Sequence, residues 1–276
     1  MTTDRRSLPD ISTLAAMGLL VYVVDNLVHE GIGHGGMCLA VGGKPLAISS
    51  AWWDGSYEGV SAWGQRAVSA GGTLANLVVG GASVVAFHRR GHQLSAHARY
   101  FVWLLGLVNL LGAAGYLMAD PVGDFGDWSV FVRGLEHALA WRVGLCATGL
   151  LLTRQTLVWG IRTLGTLVGQ DPVHPSSRVV LARKLCWCPY LVGGVAFTLA
   201  GLVNPKGVVF AFTSALATFG GKTFLAWLPT WVKPGGAAPG PAIVLGRSVG
   251  WLLAGGVAAF VLFGLLARSV VLGGAS

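Results

Sequence analysis

The stretch Asp25-Asn26-Leu27-Val28-His29-Glu30-Gly31-Ile32-Gly33-His34 decides how this chain is read. It sits late in an apolar run that begins near Ile11, where a carboxylate, a second acid and two imidazoles are costly unless they serve a site. Two histidines flanking a glutamate are a zinc-hydrolase pattern, in which imidazoles at i and i+4 hold the metal and the glutamate is the general base. Here the histidines stand at i and i+5. On a regular helix of about 100° per residue, that pair is offset by roughly 140°, against roughly 40° for i and i+4. The extra residue fits a single-turn π-bulge, which absorbs one residue and is found often at functional sites. Gly31 and Gly33 make such a distortion cheap. The sequence therefore predicts His29 and His34 as metal ligands on a bulged helix, Glu30 as the base, and Asp25, one turn earlier, as the carboxylate that orients the His29 ring.

Composition supplies the setting. Only 11% of the 276 residues are charged and 54% are hydrophobic, with a mean hydropathy of +0.66; a soluble domain carries about 25% charged residues. Apolar runs of about 20 residues, the length that crosses a bilayer, recur along the chain. They cover roughly 11–41, 62–87, 98–119, 138–168, 185–204, 207–229 and 243–271. The reading is an all-α polytopic membrane protein of six to seven transmembrane helices. The fourth run contains Arg154 and Arg162, and the sixth contains Gly220, Gly221 and Lys222; these two are the soft ones. The 42 glycines suit close helix packing in lipid. No repeat or linker divides residues 1–276, which read as a single membrane domain, with 11–130 as a core and 138–271 as additional helices.

The formal net charge of +8 is explained by basic loops rather than by nucleic acid. Arg5 and Arg6, then Arg89, Arg90 and Arg99, then Arg178, Arg183 and Lys184, then Lys233 and Arg247 alternate with acidic or sparse loops. That alternation places the N-terminus in the cytoplasm of a multi-pass protein, with the plasma (inner) membrane as the expected location. The first run is too long for a cleavable signal and lacks a small-residue cleavage site. The four cysteines form no disulfide framework; Cys186 and Cys188 read as small apolar residues at a helix start.

A catalytic zinc takes three protein ligands and leaves a position open. The third is expected from Met118-Ala119-Asp120-Pro121-Val122-Gly123-Asp124-Phe125-Gly126-Asp127-Trp128. Spans one and three run in the same direction, so this segment and the histidines meet at one side of the bilayer. Turn-making accounts for aspartates in such a loop equally well, and spacing alone does not choose among them.

Together these pieces resemble the site-two protease family of intramembrane zinc metallopeptidases. Three matches carry the resemblance: His29-Glu30 through His34, Ala70-Gly71-Gly72-Thr73-Leu74-Ala75-Asn76-Leu77 with Thr73 where that family has proline, and Gly126-Asp127-Trp128. The resemblance covers about residues 11–130. It implies a Zn2+ cofactor, Asp127 as third ligand with Asp124 as the alternative, Asn76 lining the substrate channel, and a transmembrane or juxtamembrane peptide as substrate. It also implies a strand-like segment within Lys44 to Val60 that receives substrate by β-augmentation, where an interfacial aromatic loop is the competing reading. Other readings of the same residues are a zinc-dependent lipid or amide hydrolase and a metal transporter or sensor. The last would need ligands at several depths, and Glu136-His137 is the one further pair.

Overall fold

Asp10 accepts hydrogen bonds from the N–H and the hydroxyl of Thr13, both at 2.8 Å. That cap satisfies an orphan donor and starts α1, Ile11–Ala40. The computed structural model describes residues 9–170, 175–233 and 240–272, so Arg5 and Arg6 lie outside it. Serine caps open the next two long helices. Ser61 accepts from the Gly64 N–H to start α2, Ala62–Arg90, and Ser95 accepts from the Ala98 N–H to start α3, Ala96–Gly123. There follow a short α4, Gly126–Val132, then α5, Ala138–Val168, and α6, Pro175–Val203. A pair bent by 43°, α7 (Val208–Gly220) and α8 (Thr223–Trp231), precedes α9, Val249–Arg268.

The protein is an all-α polytopic membrane protein. Five helices (α1, α2, α3, α6 and α9) are long and apolar enough to cross a bilayer, and six if α7 and α8 form one broken span. The helix expected at 138–168 is there as one unbroken α5, but it is not among those five. Arg142, Arg154 and Arg162 interrupt its apolar surface, and Arg154 is exposed. Nor do Arg178, Arg183 and Lys184 lie in a loop; they occupy the first turns of α6, where the Arg178 guanidinium donates to the Lys233 carbonyl. The basic stretch is thus built into a helix start.

The core forms where α1, α3, α5 and α6 meet, around Leu14, Met17, Val21, Trp103, Leu107, Leu164 and Leu185. Lipid gives helices no hydrophobic reason to associate, so small residues and polar bonds fix their approach. Gly33 of α1 shows this: a Cβ there would lie 2.5 Å from the Gly72 Cα of α2. That crossing brings α2 against the histidine segment.

Between α1 and α2 lies a small antiparallel sheet of order β2-β1-β3, with β1 Lys44–Ile48, β2 Trp53–Ser56 and β3 Val270–Val271. Ile48 pairs with Trp53 on one side and with Val270 on the other. The strand-like segment expected at Lys44 to Val60 therefore exists as a hairpin. Its first strand is flanked on both edges, because the chain returns from α9 to cover it. Among the described residues, the outer edge of β2 and that of the two-residue β3 are left unpaired.

Candidate metal centre

Within α1, residues Leu27–Gly35 are wound as a π-helix. The expected single bulge is broader, nine residues, and ends where the Gly36 N–H bonds to the Gly31 carbonyl five residues back. This wider turn returns the fifth residue to the same face. His29 and His34 are both buried, with ring centroids 4.8 Å apart and planes at 83°.

Asp127 meets them. Its Oδ2 lies 3.1 Å from His29 Nε2 and 3.2 Å from His34 Nε2. Among the described residues these three make one group whose ligand atoms lie within 4.8 Å of one another. The partners of the two Nδ1 atoms decide what those atoms offer. His34 Nδ1 sits 2.7 Å from the Val68 carbonyl, which can only accept, so the ring proton is on Nδ1. His29 Nδ1 sits 2.7 Å from Asn76 Oδ1. With both protons committed to Nδ1, both Nε2 atoms carry lone pairs directed at a carboxylate oxygen. A proton on either ring or a metal cation would relieve that crowding, and two imidazoles with one carboxylate are a donor set that can hold zinc.

The space for it is kept by Gly72, on the facing helix. A Cβ at this position would lie 2.6 Å from His29 Nε2 and from His34 Nε2. Asp127 is placed by α4, whose start is held by Asp120. One oxygen of this buried carboxylate accepts from the Trp128 N–H at 3.3 Å. Gly126 passes so close above it (φ +73°) that a Cβ would come within 2.6 Å of the carboxylate. The Trp128 indole N–H donates to Thr73 Oγ1 at 3.0 Å. Thr73, standing where the resembled family has proline, thus braces the aspartate segment against α2.

Other expectations are corrected. Asp124, the alternative third ligand, closes α3 in a left-handed conformation (φ 53°), is exposed, and pairs with Arg142 at 2.5 Å. It points away because Gly126 redirects the chain between the two aspartates. Asp25 does not touch the His29 ring; its Oδ1 accepts from Asn76 Nδ2 at 2.8 Å and its Oδ2 meets Lys222 Nζ at 3.1 Å. Asn76 does not line a channel; it is 1% exposed and does the orienting assigned to Asp25. Glu136 and His137 lie in an exposed turn before α5.

Sequence reading missed Tyr116, stacked on His29 at 4.4 Å and 17°, and the roles of Asn109, Asp120 and Lys222. Asn109 and Lys222 did carry a signal, being polar groups inside apolar runs.

The group opens on a cavity of about 880 Å3. Glu30 lines it beside the histidines, Trp53 and Tyr57 belong to the hairpin side, and Phe212, Leu216 and Gly220 belong to α7. Burial pushes the Tyr57 phenol up to about 12, so it faces the cavity as a proton-bearing donor. No protein-family model, curated protein or solved structure matches the chain.

Proposed function

We propose that this protein is an intramembrane zinc-dependent hydrolase, a metallopeptidase in the manner of the site-two proteases, that cleaves a transmembrane or juxtamembrane peptide. The observation that carries this reading is the meeting of His29 Nε2, His34 Nε2 and Asp127 Oδ2 in one cavity with Glu30. His29, His34 and Asp127 would hold the zinc, three ligands that leave a position open as catalytic sites do. Zinc bound there supplies Lewis acidity toward a carbonyl oxygen and brings the pKa of water to about 7.

Glu30 takes the proton from the attacking water and returns it to the leaving amine, a role that contributes about 10²–10⁴-fold in general acid–base catalysis. Its position next to His29 in the sequence, on the same widened turn, keeps its carboxylate at the cavity. The cavity walls are largely apolar and aromatic, which suits a segment drawn from the bilayer, and the open edge of β2 suits an extended stretch of it. Basic residues at the end of α2 and the start of α3 favour a cytoplasmic N-terminus. A transporter would stack ligands at several depths; among the described residues there is one group.

The experiment compares zinc-loaded protein with Glu30→Gln on two probes, a fluorescently labelled transmembrane peptide and a labelled lipid. Cleavage of the peptide, lost in the variant while zinc is retained, is the expected result. Lipid hydrolysis without peptide cleavage would move the protein to a different hydrolase class. Equal turnover by Glu30→Gln would remove the base assignment.

A further inference from the structure

Lys222 and Asp25 form a buried ion pair, at 2% and 7% exposure. Lys222 lies in the break between α7 and α8, and its ammonium also donates to the Ala217 carbonyl at 3.1 Å and rests 5.6 Å from the Tyr22 ring. Such a pair is a poor way to gain stability, because well-packed apolar residues of similar volume often serve as well or better. It has a further neighbour. Asp25 Oδ1 accepts one N–H of Asn76, and Asn109 Oδ1 accepts the other at 2.8 Å. Asn109 cannot present its own amide there, because its Nδ2 donates to the Leu105 carbonyl at 2.9 Å.

With both N–H donors of Asn76 committed, only its Oδ1 is left for His29 Nδ1. Rotating that amide by half a turn would set its oxygen against the Asp25 carboxylate and its NH2 against the ring. We infer that the Lys222–Asp25 pair is a positioning device for the metal centre: acting through Asn76, it fixes which ring nitrogen of His29 carries the proton and so which one is free to bind zinc. This rests on the zinc-site reading above. The hydrogen bonds converge on the Asp25 carboxylate: the ammonium donates to it from one side, and from the other the imidazole Nδ1–H donates to the amide oxygen and the amide N–H to the carboxylate, which leaves a lone pair on Nε2. Partners of this kind fix the tautomer and orientation of ligating imidazoles elsewhere, and their loss costs about 10–100-fold in metal affinity or activity.

Two double variants test it against a purely structural role. Asp25→Leu/Lys222→Met removes both charges and leaves no lone buried ion; Asp25→Lys/Lys222→Asp keeps an ion pair but presents a donor to Asn76 in place of an acceptor. Both are purified beside the parent protein, with monodispersity and melting temperature as controls for folding. Zinc affinity is read by competition with a chromophoric chelator, and cobalt substitution reports the ligand field. The expected result is folded protein with zinc bound about 10–100-fold more weakly and an altered cobalt spectrum, while Lys222→Arg binds as the parent does. A folded double variant with parental zinc affinity would overturn the proposal.

A measurement on the metal-free parent keeps the two claims apart and does not need either variant to fold. Nitrogen NMR of labelled histidine, assigned with His29→Gln, should show His29 protonated at Nδ1. A ring protonated at Nε2 with a bare Nδ1 overturns the positioning role. An Nδ1 proton in a protein that takes up no zinc would leave the orientation intact and defeat only the metal reading.

Discussion

Gly72→Ala is the substitution that most sharply separates a built metal centre from a chance gathering of polar groups. The new Cβ would stand 2.6 Å from both Nε2 atoms, 0.8 Å short of the 3.4 Å at which ordinary contact begins. The rings cannot simply swing away. His29 is held at Nδ1 by Asn76 and stacked on Tyr116, and His34 is held by the Val68 carbonyl. Nor can α2 retreat freely, because Gly33 and Gly72 are already in backbone contact. Relief of about 0.8 Å must therefore come from the ligand geometry. Overpacking of this kind costs about 1–3 kcal/mol, and with about 1.4 kcal/mol per tenfold zinc affinity should fall by roughly one to two orders of magnitude. The assay is chelator competition on the purified variant, with Gly81→Ala as control, since nothing lies within 4 Å of a Cβ at that position of the same helix. Gly72→Ala binding zinc as tightly as Gly81→Ala would refute the reasoning.

Other expectations follow from the same geometry. Asp127→Ala should lose zinc in metal analysis while Asp124→Ala retains it, because only the former reaches the imidazoles. Glu30→Gln should keep its zinc and lose at least about 100-fold in turnover, measured on the peptide probe. Thr73→Val leaves the Trp128 indole N–H without its acceptor, which should cost about 1–3 kcal/mol and appear as a lower melting temperature with zinc affinity reduced less than in Asp127→Ala. Chelation of the metal should lower the melting temperature and zinc should restore it, by about 2.7 kcal/mol at a free concentration of 100 Kd.

How far the sequence could be read depended on whether a residue's role was set locally. Helix positions were legible because apolar runs of bilayer length have one physical use, and the π-helix at Leu27–Gly35 was legible because two imidazoles five apart cannot share a face otherwise. The choice of Asp127 over Asp124 came from a resemblance; physically it turns on Gly126, whose positive φ redirects the chain between them. Asp25 was misassigned for a related reason. One turn before His29 is the right distance along a helix, but the π-widening rotates the ring toward α2, where Asn76 stands. The partners that sequence reading left out, Tyr116, Asn109 and Lys222, are all non-local, on helices whose rotation about their own axes is set only once the bundle packs. Lys222 drew notice as a blemish in a transmembrane run, and its meaning needed Asp25 at the other end.

The central claim, that His29, His34 and Asp127 hold zinc, is tested most directly by X-ray absorption at the zinc edge on the protein purified from zinc-replete cells. One zinc per chain, with imidazole and oxygen neighbours at about 2.0–2.2 Å and no sulfur, is the expected spectrum, lost in His34→Ala. A protein that holds no zinc, or whose zinc shows sulfur at about 2.3 Å, contradicts it.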